Sequence, residues 1–148
     1  MNALKDLEWH IVLAIDNNDP DEFQPLPDNV EIFKGIPQVE VMPYADLIIT
    51  SGGIITTMEA MYHGIPLLMM THGFIEAAAY ADNNVRLGLG KHIIKKDTNE
   101  SNVRRLALEI LQDTEILTRV AAMKEVIRRD AGAEEAANRI SHYVESGR

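Results

Sequence analysis

Residues 46–71, DLIITSGGIITTMEAMYHGIPLLMMT, constrain the fold of this chain more than any other stretch. Residues 46–50 are a short apolar run with Ile48 and Ile49 inside it, the pattern of a strand buried on both faces. Ser51, Gly52 and Gly53 follow, and the two glycines allow a sharp turn and a close approach of backbone to a ligand. A helix is expected over residues 54–62. Its apolar face holds Ile54, Ile55, Met58, Met61 and Tyr62, with Thr56, Glu59 and His63 opposite. Gly64 stands where a helix stop belongs, and Pro66 follows it. Residues 67–70 form the next apolar strand. Strand, glycine turn, helix and strand make a βαβ unit, in which the two strands run parallel. The free N–H groups and positive dipole end of the helix make such a turn a cradle for phosphate. Glycines also occur there for packing alone, and spacing does not separate the two roles.

The rest of the chain repeats the alternation. Residues 1–7 read as the tail of a helix, and residues 9–15, WHIVLAI, as a strong strand. Residues 16–28, rich in acids, prolines and asparagines, read as an exposed loop. Their spacing matches no calcium loop. Residues 29–33 are a short strand, 34–38 a turn, and 39–45 a short helix in which Pro43 fits only the first turn. His72, Gly73 and Phe74 make a loop. Residues 76–87 form an alanine-rich helix ended by Gly88 and Gly90, and residues 91–94 a last strand. Three apolar stripes then follow at helical spacing. They are carried by Val103 to Leu111, by Ile116 to Ile127, and, past a break at Asp130, Ala131 and Gly132, by Ala136, Ala137, Ile140, Tyr143 and Val144. Thr98 and Thr114 are the expected N-caps. This order predicts one α/β domain over residues 1–148, a parallel sheet with C-terminal helices. Ligands of such sheets bind beyond the carboxyl ends of the strands. Three loops lie there: residues 34–38, 51–53 and 71–76.

Charge and composition narrow the partners. The 148 residues carry a formal net charge of −9, which repels a phosphodiester backbone and argues against nucleic acid. Aromatics make up 5%, too few for a base-stacking platform. Cysteine is absent, which excludes disulfides, zinc-thiolate sites and cysteine nucleophiles and fits a cytoplasmic chain. No run approaches the ~18 apolar residues of a membrane span, and the N-terminus lacks the pattern of a signal peptide.

The stretch PDNVEIFKGIPQVEVMPYADLIITSGGIITTMEAMYHGIPLLMM, followed by GLGKHI, resembles the C-terminal half of two-domain GT-B glycosyltransferases. The nearest kind is the macrolide and natural-product enzymes, which are akin to UDP-glucuronosyltransferases. The resemblance runs from Leu4 to Val144. It implies a Rossmann-like domain that binds a nucleoside diphosphate sugar of UDP or dTDP type, with no metal and no other cofactor. Position by position, Gln38 would lie beside the base and ribose. Gly52 and Gly53 would offer N–H groups to the diphosphate, with Ser51 beside them. Thr56 would give its hydroxyl to a phosphate oxygen. Glu59 would accept from the ribose hydroxyls, as a carboxylate suits a vicinal diol. Glu76 would hold sugar hydroxyls if one inserted residue is allowed before it.

Four positions depart from the family pattern: Gly35 stands in place of a stacking tryptophan, Ser51 of a histidine, Ile55 of an asparagine and Ala77 of a glutamine. His72 is a possible substitute for the lost histidine, although a solvated loop residue is the simpler reading. His10, His63, His92 and His142 read as strand, helix-end or surface histidines. The resemblance also implies a central first strand and an N-terminal acceptor domain that this sequence does not contain. The catalytic base belongs to that domain, so no residue here is assigned it, and the chain alone is expected to be inactive. Inner strand edges should be left unpaired, and the chain should self-associate or take a partner chain. The alternative is a binding module of the same fold whose donor site has degenerated.

Overall fold

The computed structural model describes residues 2–73, 75–130 and 132–147. Met1, Phe74 and Ala131, expected in the helical tail, the loop after the second βαβ strand and the helix break, lie outside them. After a 3-10 turn at Asn2–Leu4 come β1 (Ile11–Ala14), a second 3-10 turn (Pro20–Phe23) and β2 (Val30–Phe33). A short α1 (Gln38–Val41) runs into a 3-10 turn, Met42–Tyr44, and Pro43 falls in the first turn of the latter. Then follow β3 (Ile48–Thr50), α2 (Ile54–His63), β4 (Leu67–Thr71), α3 (Ile75–Leu87) and β5 (Gly90–Ile94). Helices α4 (Glu100–Gln112), α5 (Thr114–Asp130) and α6 (Ala133–Glu145) close the chain.

Among the described residues all strand pairings are parallel. Ile11 lies opposite Val30 in the β1–β2 pair, Ile48 opposite Leu67 in β3–β4, and Leu67 opposite Gly90 in β4–β5. The strands form two sheets, β1-β2 and β3-β4-β5, and among the described residues no ladder joins β1 to β3. In the doubly wound order 3-2-1-4-5-6, these are the two flanks on either side of the first strand. The unpaired inner edges expected from the sequence are therefore present. Ile11 donates its N–H to Asn29, just before β2, Ile15 to Phe33 of β2, and Ile48 to Pro66. Alternation along a parallel ladder then turns the backbone of Val12, Ala14 and Ile49 to the free side. Val12 and Ile49 are 38% and 39% exposed.

β4 is buried on both faces, as its unbroken apolar run requires. Leu67 and Met69 pack with Met42, Ala60, Ile65 and Ala81 on one side. Leu68 joins Leu4, Leu89, Ile93, Ile110, Ile116 and Val120 on the other. The N-terminal segment is tied down by polar contacts. Asn29 donates from its amide to the carbonyls of Leu4 and Leu7 at 3.0 and 3.1 Å, and Arg104 donates to that of Ala3 at 3.0 Å.

Four details correct the sequence reading. The face of α2 is turned about the helix axis: Ile54, Ile55, Met58 and Tyr62 are exposed, Thr57 and Ala60 are buried, and of the expected apolar set only Met61 packs on the core. Thr57, Ala60, Met61 and Gly64 form a stripe of mostly small residues that lets the helix sit close to its neighbours. A Cβ on Gly64 would stand 3.0 Å from the Lys124 side chain of α5. Gly90 does not end a helix. Gly88 does so, with φ +70°, whereas Gly90 opens β5, where a Cβ would fall 2.0 Å from the carbonyl oxygen of Leu67. The caps are neighbours of the expected ones, one residue after Thr98 and one before Thr114. Asn99 accepts from the N–H of Asn102, and Asp113 from those of Glu115 and Ile116. Finally, the apolar stripe of α6 is exposed rather than packed.

Candidate functional site

The site is built on the turn from β3 into α2. Gly52 has φ +94°, which only glycine adopts freely, and a Cβ there would lie 3.3 Å from the Cβ and carbonyl oxygen of Ala77. Fold geometry therefore requires Gly52. Gly53 is different. Its φ of −60° and ψ of 135° suit any residue, and a Cβ would meet nothing within 4 Å. What its missing side chain provides is access to the turn. Gly53 is also the N-cap of α2, and no side chain caps that end. The first-turn N–H groups are left for a ligand or water. Two threonines shape the turn: Thr50 accepts from the N–H of Gly52 at 3.3 Å, and Thr57 donates its hydroxyl to the Gly53 carbonyl at 2.9 Å. The first contact uses an N–H that the resemblance had left for phosphate. Neither threonine was singled out from the sequence; the signal for Thr57 was a hydroxyl at helical spacing with buried Ala60.

Gln38, Thr56 and Glu59 come together although 21 residues of sequence separate the first from the last. Gln38 is the first residue of α1, not part of a turn. Its amide donates to Glu59 Oε2 at 2.5 Å and to Thr56 Oγ1 at 3.3 Å. Thr56 and Glu59 are one turn apart on α2, so both point at α1. A carboxylate held by one amide still has lone pairs for two further donors.

The other candidates are less closely held. Ser51 is exposed at the turn. Glu76 is exposed in the first turn of α3, and its neighbour Ala77 lies against Gly52 of the glycine turn. His72 is exposed, and Ile55 is 70% exposed beside the uncapped amides. Around Gly35 a Cβ would meet nothing within 4 Å. His92, read as an ordinary strand histidine, is instead bracketed by Asp82 and Thr71. Among the described residues there is no cluster of three or more His, Cys, Asp or Glu that could hold a metal, and no helix long and apolar enough to cross a membrane.

Two parallel flanks, a glycine turn opening α2 and a carboxylate one turn further on are the architecture of the C-terminal domain of GT-B glycosyltransferases. Residues 1–143 match the family described as Erythromycin biosynthesis protein CIII-like, C-terminal domain, and the chain belongs to that family. Among characterised proteins it is 32% identical over 145 residues to NDP-glycosyltransferase YjiC of Bacillus licheniformis, covering 97% of this chain and 36% of the relative. It is 30% identical over 139 residues to demethyllactenocin mycarosyltransferase of Streptomyces fradiae, covering 93% and 30%. The chain thus spans about a third of the length of these relatives. Of solved structures, CalG4, the calicheamicin glycosyltransferase, superposes with TM-score 0.89 at 31% identity over 98% of this chain and 38% of that one. The glycosyltransferase VinC in complex with dTDP shares the fold, with TM-score 0.87 at 18% identity over 98% of this chain and 36% of that one.

Proposed function

We propose that this chain is the nucleotide-sugar-binding half of a glycosyltransferase acting on a natural product, with UDP or dTDP as the nucleoside diphosphate. The observation that carries the reading is Gly53. Its backbone needs no glycine, its side-chain position is open, and it caps a helix whose first N–H groups no side chain covers. Such an end binds a diphosphate. Gln38 and Glu59 take the ribose and base, Thr56 a phosphate oxygen, Gly52 and Ser51 shape the turn, and Glu76 approaches the sugar. Charge developing on the departing diphosphate is met by helix amides and hydroxyls of this chain. The acceptor hydroxyl is deprotonated from an N-terminal acceptor domain or partner chain in the same cytoplasmic compartment, and attacks the anomeric carbon with inversion. The domain boundary at residues 1–148 and the pairing of the β1 and β3 edges by such a partner, or by a second copy, belong to the same proposal.

Calorimetry with UDP, dTDP and their glucose conjugates tests it. One of the nucleotides binds, and Glu59→Ala weakens it about tenfold or more, the loss of hydrogen bonds to a charged group. A folded chain that gives no heat with any of them contradicts the reading and leaves a binding module without donor chemistry.

A further inference from the structure

Three side chains from three elements form a chain of hydrogen bonds beside the turn. Asp82 on α3 meets His92 Nδ1 on β5 with its Oδ1 at 3.1 Å. His92 Nε2 lies 2.7 Å from the hydroxyl oxygen of Thr71, the last residue of β4. The His92 side chain is 12% exposed and Thr71 3%, while Asp82 is open to solvent. The strand register puts them there: His92 is opposite Met69, so Thr71, two residues on, projects from the same face. An ionised carboxylate only accepts, so neutral His92 carries its proton on Nδ1 and accepts the Thr71 hydroxyl proton at Nε2. The order carboxylate, imidazole, hydroxyl is that of a nucleophilic triad. No substrate reaches a hydroxyl so buried, and the arrangement serves placement instead.

What it places is α3. The helix docks on the sheet through Ala81, fully buried against Leu67 and Met69 of β4, and its first turn meets the glycine turn through Ala77. Methyl-sized contacts resist sliding poorly, whereas hydrogen bonds are directional. The first turn of α3 in turn abuts Gly52 through Ala77 and carries Glu76. We infer that Asp82, His92 and Thr71 form a relay that sets the start of α3 against the glycine turn, which makes His92 a positioning residue for the sugar end of the donor site. The functional half of this statement rests on the donor reading above.

The test compares Asp82→Ala with Asp82→Asn, since asparagine keeps an acceptor for Nδ1–H. Asp82→Ala should weaken UDP-glucose or dTDP-glucose about fivefold more than UDP or dTDP, the loss of one hydrogen bond, and Asp82→Asn should restore the ratio. Nitrogen NMR at pH 8 should show His92 protonated at Nδ1, and amide exchange at residues 77–79 should speed up in Asp82→Ala alone. Equal weakening of sugar-bearing and sugar-free ligands, an Nε2–H tautomer, or the same amide exchange in both variants overturns the relay. If the wild-type chain binds no nucleotide while the tautomer and the exchange difference hold, the donor reading fails and the placement of α3 by the relay stands.

Discussion

At the scale of single residues, the site is most informative where a side chain is missing. Gly35 and Gly53 both face open space, in contrast to Gly52 and Gly90, whose missing Cβ atoms are demanded by Ala77 and Leu67. At Gly35 the family resemblance implies a tryptophan, and with φ outside the left-handed region and open space around a Cβ a side chain can start there without backbone strain. Gly35→Trp should therefore tighten UDP or dTDP about tenfold by calorimetry, the worth of one base stack. An unchanged or weakened affinity places the base elsewhere. Gln38 and Glu59 were singled out by family resemblance alone. Their mutual hydrogen bond was not, because nothing in the chain between α1 and α2 announces which side chains will meet. His92 shows the same limit: its partners stand 10 and 21 positions away with no motif linking them.

Among elements, strand and helix order was readable almost throughout, because apolar period and glycine punctuation are local. Which face of α2 turns inward was not. The hydrophobic period pointed to Ile55, Met58 and Tyr62 as well as Met61, yet the core accepted Thr57 and Ala60 beside Met61, since α2 sits close to α5 at Gly64. The stripe on α6 misled in the same direction, as Ile140, Tyr143 and Val144 are all exposed. The β4–β5 junction carries the sharpest steric constraint. Gly90→Ala must push its methyl into the Leu67 carbonyl and should cost about 3 kcal/mol or more in urea unfolding. A loss below about 1 kcal/mol means that β5 shifts along β4 at little cost. Nearby, Lys91 donates to Glu109 at 2.8 Å and, with Arg105, holds the Glu109 carboxyl below its ordinary value. That tie from β5 to α4 contributes stability above the ordinary carboxylate range and loses it as pH falls through the lowered value.

For the whole molecule, the divided sheet dominates. Val12 and Ile49 present half-exposed apolar side chains along two unpaired parallel edges, the condition under which chains pair with one another. Sedimentation should show association that rises with concentration, and Ile49→Lys should reduce it. A monomer at every concentration with both edges intact contradicts this. The division also has a consequence for how the chain opens. β1 and β2 are held by the bonds of Asn29 to the N-terminal segment and by the contacts of Trp9 and Ile11, whereas β3, β4 and β5 enclose a strand buried on both faces. Amides of residues 11–14 and 30–33 should exchange with solvent well before those of residues 67–71, as a separate opening unit. Gln38 follows the first unit in the chain and Glu59 belongs to the second, so a nucleotide bound between them would work as a clasp. Its grip would slow the opening of strands it never touches.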